Sequence, residues 1–62
     1  MKDRAKTFRN GWSVALTADD NGWMYTAVVR NARGDVHDKV RCDDYRNALT
    51  YYKAFSAIAQ NT

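Results

Sequence analysis

Residues 12–18, Trp-Ser-Val-Ala-Leu-Thr-Ala, alternate large apolar side chains with small or polar ones. That period of two belongs to a strand with one buried face. Residues 23–30 (Trp-Met-Tyr-Thr-Ala-Val-Val-Arg) and 35–42 form the second and third predicted strands. Turn chemistry separates them. Asp19-Asp20-Asn21-Gly22 contains an Asn-Gly pair, and both residues accept the positive φ of a type I′ hairpin turn. Asn31-Ala32-Arg33-Gly34 ends in a glycine able to take the left-handed position.

The two turns predict registers that agree. A two-residue Asn21-Gly22 turn sets Asp20 opposite Trp23, Ala18 opposite Tyr25, Leu16 opposite Ala27 and Val14 opposite Val29. A second turn closed by Arg30 and Asp35 sets Val29 opposite Val36, Tyr25 opposite Val40 and Trp23 opposite Cys42. Both put Trp12, Val14, Leu16, Ala18, Trp23, Tyr25, Ala27, Val29, Val36, Val40 and Cys42 on one face, a set that a one-residue slip would scatter. Asp38 is the discordant member. It is either an inward charge guarding an edge strand or the mark of a bulge that shifts the register there.

Asp43 and Asp44 follow, and either suits a helix N-cap at the positive end of the dipole. No breaker interrupts the chain from Tyr45 to about Asn61. At ~3.6 residues per turn, Tyr45, Ala48, Leu49, Tyr52, Phe55, Ser56 and Ala59 share one face, with Arg46, Thr50, Lys53 and Ala57 opposite. The first ten residues hold one large apolar side chain, Phe8, and show no period. The expected fold is α+β: a three-stranded antiparallel meander followed by one C-terminal helix packed on one face. It forms a single domain over residues 1–62, with a mobile basic arm at 1–10, the sheet at 12–42 and the helix at 43–61.

Length sharpens the picture. A 62-residue chain buries only about 60% of the surface its unfolded form exposes. Cys42 is the only cysteine, so no disulfide closes within the chain, and one Cys with one His does not make zinc-ligand spacing. Stability therefore rests on packing, supplied by eight aromatic residues, or on self-association. No stretch approaches the ~20 apolar residues of a membrane span. The basic start lacks the apolar run of a signal peptide. With a free cysteine, this points to a cytoplasmic protein.

Catalytic chemistry finds no foothold. His37, the only histidine, is predicted outward, while Cys42 is predicted inward as a small hydrophobe. They differ in parity along one strand and form no nucleophile–base pair. Asp43-Asp44 is explained by helix capping, and there is no glycine-rich phosphate loop. The expectation is a non-enzymatic protein with no cofactor, no metal and no small-molecule substrate.

Two surfaces remain once the core is assigned. The outer sheet face carries Ser13, Ala15 and Thr17, then Met24, Thr26, Val28 and Arg30, then Asp35, His37, Lys39 and Arg41. A flat face of small residues with long cations at one side suits the major groove of duplex DNA, where Arg and Lys reach guanine edges or phosphates and Thr methyls reach thymine. The formal charge is +3, and all of it sits in the first segment, where Lys2, Arg4, Lys6 and Arg9 face Asp3. These arm cations would add phosphate contacts. The second surface is a helix flank, where Tyr51 and Ile58 extend the apolar arc beyond Phe55. Tilt on a twisted sheet would bury it. Otherwise Tyr51, Phe55 and Ile58 form a partner interface.

The layout resembles a known family. Three antiparallel strands and one long helix, with Asn21-Gly22-Trp23-x-Tyr25 opening the second strand, Arg33-Gly34 in the next turn and an Ala-containing amphipathic helix, resemble the arm-site DNA-binding domain of tyrosine integrases and the AP2-type plant domain over about residues 12–59. In that family the sheet sits in the major groove. The resemblance implies Thr26, Val28, Arg30, Lys39 and Arg41 as reading residues. It implies a stand-alone binder of regulatory or recombination-accessory type. The alternative is a phage or mobile-element protein that inhibits a host protein through the helix flank or the sheet face, alone or as a homodimer.

Overall fold

The computed structural model describes residues 3–19 and 23–61. Its elements are β1 (Arg4–Thr7), β2 (Ser13–Ala18), β3 (Tyr25–Arg30), β4 (Val36–Cys42) and α1 (Tyr45–Gln60). The fold is α+β, with an antiparallel sheet ordered β1-β2-β3-β4 and one C-terminal helix.

Among the described residues the sheet has four strands rather than three. The segment expected as a mobile arm pairs with β2 through Arg4↔Leu16, Ala5↔Ala15, Lys6↔Val14 and Thr7↔Ser13. The turn explains the pairing. The Phe8 N–H donates to the Trp12 carbonyl at 2.8 Å, and the Gly11 N–H donates to the Phe8 carbonyl at 3.0 Å. Gly11 has φ 90°, which gives the three-residue hairpin loop closed by a left-handed glycine. Asn10 fixes the loop twice, accepting from Trp12 N at 3.0 Å and donating to the Ala59 carbonyl at 2.7 Å. The signal was present: Asn10-Gly11 is the same dipeptide as Asn21-Gly22. No alternation accompanied it because all four β1 residues are exposed.

The β2–β3 register is the expected one: Val14↔Val29, Leu16↔Ala27 and Ala18↔Tyr25. Asp19 N–H donates to the Met24 carbonyl at 2.9 Å. The Asn21-Gly22 turn and the expected Asp20–Trp23 pair lie outside the described residues.

The β3–β4 register differs from expectation by two positions, for two identifiable reasons. The loop is closed by Asn31 and Asp35, not Arg30 and Asp35, with Asn31 N to Asp35 O at 2.9 Å and Gly34 N to Asn31 O at 2.9 Å. This repeats the β1–β2 loop, with Gly34 at φ 89°. A bulge then follows: Arg30 pairs with Val36 but Val29 pairs with Asp38. Each irregularity moves the register by one. Together they preserve parity, so Val40 and Cys42 keep the helix side and are half-buried, now opposite Ala27 and Tyr25. Val36 lies between the two shifts, joins Arg30 on the outer side and is 48% exposed instead of in the core. Asp38 does mark a bulge. His37 is displaced with it, and its ring meets the edge of Trp12 at 5.0 Å rather than standing among the outward residues. Trp23 also leaves the expected core, at 74% exposed.

The helix stripe follows its period. Ala48, Phe55 and Ala59 are buried; Tyr45, Leu49, Tyr52 and Ser56 are half-buried; Arg46, Thr50, Lys53 and Ala57 are exposed. Ser56 satisfies its hydroxyl on the Tyr52 carbonyl at 2.8 Å, which accounts for a polar residue on the packed side. Asp44 is the N-cap, its carboxylate accepting from Arg46 N at 3.4 Å. The helix lies over β3 and β2, where Val14, Ala27, Val29, Phe55 and Ala59 form the central cluster, touches β4 less and does not reach over β1.

Among the described residues two glycines, Gly11 and Gly34, have positive φ and predict unequal costs of substitution. A Cβ at Gly34 meets nothing within 4 Å, whereas one at Gly11 meets the Ala32 Cβ at 3.0 Å. Gly34→Ala is expected to cost about 1 kcal/mol from backbone strain alone, and Gly11→Ala about 2 kcal/mol. Parallel urea titrations followed by far-UV circular dichroism check the order; equal losses would remove the contact with Ala32 as a cause.

Candidate nucleic-acid interface

A pleated sheet sorts its residues by parity, and here parity leaves one face without a covering layer. Three cross-strand rows build it: Thr7–Ser13–Arg30–Val36, Ala5–Ala15–Val28–Lys39 and Thr17–Thr26–Arg41. Every neutral side chain in these rows is alanine, serine, threonine or valine. Thr26 and Val28 are half-buried among their neighbours, while Arg30, Lys39 and Arg41 are exposed. Strand β1 therefore widens the predicted face with Ala5 and Thr7, two residues of the segment expected as an arm. Met24, expected on this face, instead lines a groove between β4 and α1.

Each cation has its own setting. Arg30 Nη1 donates to the Gly34 carbonyl at 3.0 Å, which steadies the side chain, and Arg30 makes no ion pair among the described residues. Arg41 makes an ion pair with Asp19, whose carboxylate is the less exposed of the two, 28% against 61%. The guanidinium has five N–H donors, so one carboxylate does not exhaust it. Lys39 makes no ion pair among the described residues; its backbone N–H donates to Asp38 Oδ1 at 2.8 Å. Nearby, Arg33 pairs with Asp35 at 3.6 Å in the β3–β4 turn.

Two of the predicted arm contacts, Arg4 and Lys6, do not lie on this face. Arg4 and Lys6 pair with Leu16 and Val14, both buried under the helix, so parity puts them on the helix side. Arg4 Nε donates to the Tyr45 hydroxyl at 3.0 Å, and this bond raises the guanidinium pKa above its ordinary value. The Lys6 ammonium stands 5.1 Å from the centre of the Phe8 ring, a cation–π arrangement. Arg9 sits in the β1–β2 loop, lining a pocket with Phe8, Asn10 and Gln60 at the end of the helix. Lys2 lies outside the described residues. Hairpin formation fixes Arg4 and Lys6 on the opposite side of the sheet.

The helix-flank interface is also revised. Phe55 is 5% exposed and belongs to the core, so it offers no contact surface. Tyr51 and Ile58 remain exposed at 44% and 42%, with the Tyr51 ring tilted against Phe55 at 6.2 Å. No helix among the described residues is long and apolar enough to cross a membrane. Searches against protein-family models, curated proteins and solved structures gave no match to the chain.

Proposed function

We propose that this chain binds duplex DNA, laying the outer face of its sheet against the major groove as a non-enzymatic regulator or recombination accessory. One observation carries the reading: among the described residues, every cross-strand row of the bare face contains one long cation, Arg30, Lys39 or Arg41. Alternate residues along a strand are ~7 Å apart, so the three charges form a stepped line on the β3–β4 side. Such a line follows a phosphate strand, and Arg or Lys at its inner edge can turn to guanine acceptors.

The remaining residues of the face favour close approach. Thr17, Thr26, Val28 and Ala15 present methyl groups and short hydroxyls, with no large side chain to hold base edges away. Three strand spacings of ~4.8 Å make the sheet ~14 Å wide, slightly more than the ~12 Å groove. Strand β1 accordingly stays at the groove lip while β2, β3 and β4 face the bases.

Fluorescence anisotropy of a labelled mixed-sequence duplex, at low and at physiological salt, tests the proposal. Binding that weakens steeply as salt rises is expected, because phosphate contacts release counterions. Absence of binding at low salt would overturn it.

A further inference from the structure

We propose that a second copy of this chain docks in the groove between β4 and α1, forming a two-fold dimer. The helix lies over β3 and β2 and leaves the helix-facing side of β4 lightly covered. Met24, Val40, Cys42 and Tyr51 line the resulting open groove of about 880 Å³, with Arg41 and Asp43 at its rim. Val40 and Cys42 point to the core side by register yet are only half-buried, so the groove is an unfinished edge of the core.

The size of the core explains why the edge stays open. Seven hydrophobic residues are buried among those described, and three of them are alanine. Among the described residues no further element lies over this side of β4, and small domains commonly complete their packing by oligomerisation.

The chemistry of the rim selects the occupant. Arg41 and Asp43 flank Cys42, one cation and one anion on either side of an apolar centre. A two-fold axis beside Cys42 turns each arginine toward the aspartate of the other copy, since an isologous contact reads the same patch twice. Arg41 keeps donors for this while it holds Asp19. Tyr51, 44% exposed at the groove wall, is the aromatic anchor that enters the partner's groove.

Sedimentation velocity and thermal melts of the whole chain between ~1 and ~200 µM test the proposal, because a dimer gains stability by mass action. The expected results are a doubled mass at the upper concentration and a melting temperature that rises with concentration. Tyr51→Arg and, separately, Ala54→Arg are expected to return the chain to a monomer with a concentration-independent melt. Both positions are exposed, and far-UV circular dichroism identifies any variant that fails to fold. A wild-type chain that stays monomeric throughout overturns the proposal. So does a dimer that survives both substitutions in folded protein.

Discussion

Phe55→Ala is expected to leave much of the chain unfolded at 25 °C. Among the described residues Phe55 is the one aromatic in the fully buried cluster, which it shares with Val14, Ala27, Val29 and Ala59. Truncating a buried phenylalanine costs about 3–5 kcal/mol, and the upper part of that range applies where neighbours cannot collapse into the space. Two of the neighbours here are alanines with nothing to extend. At ~0.05–0.15 kcal/mol per residue, a chain of this length has roughly 3–9 kcal/mol in total. The loss is therefore comparable with the whole stability. Lys53→Ala, on the exposed side of the same helix, is expected to change stability by less than about 0.5 kcal/mol. Urea unfolding monitored by circular dichroism compares the two, and a Phe55→Ala chain within ~1 kcal/mol of the parent would show that the core is centred elsewhere.

The second large effect concerns binding. Replacing Arg30, Lys39 and Arg41 together by alanine is expected to weaken duplex binding on the order of a hundredfold at low salt and to flatten the slope of log affinity against log salt by about 2.7, at ~0.9 per lost phosphate contact. Arg4→Ala with Lys6→Ala removes two charges from the same small domain, but from the helix side of the sheet. Through about a Debye length of screening, that pair is expected to shift affinity by no more than about threefold. Anisotropy titrations at several salt concentrations measure both. If the two sets of variants lose affinity equally, the contact is not on the outer face. If only the arm pair matters, DNA lies on the helix side and the proposed orientation is wrong.

The face itself was largely legible in the amino-acid sequence. Thr26, Val28, Arg30, Lys39 and Arg41 share one side of the sheet, as their parity required. Strand parity is a local property, and it survives the two one-residue shifts in the β3–β4 register because they add to two. Val36 shows what a single shift does: caught between loop closure and bulge, it exchanged the core for the surface. Strand β1 left little trace in the sequence for a different reason. An edge strand exposed on all four residues has no buried side, and without one there is no hydrophobic period to reveal it. Its only trace was Asn10-Gly11.

By itself, the amino-acid order determined the kinds of elements, the β2–β3 register and the packed stripe of the helix. Each follows from a period or a turn glycine acting over a few residues. The tertiary structure decided the fourth strand, the side taken by Arg4 and Lys6, the bulge beside His37 and the groove left along β4. These depend on which backbone hydrogen bonds close each loop and on where a helix of fixed width comes to rest on a sheet wider than itself.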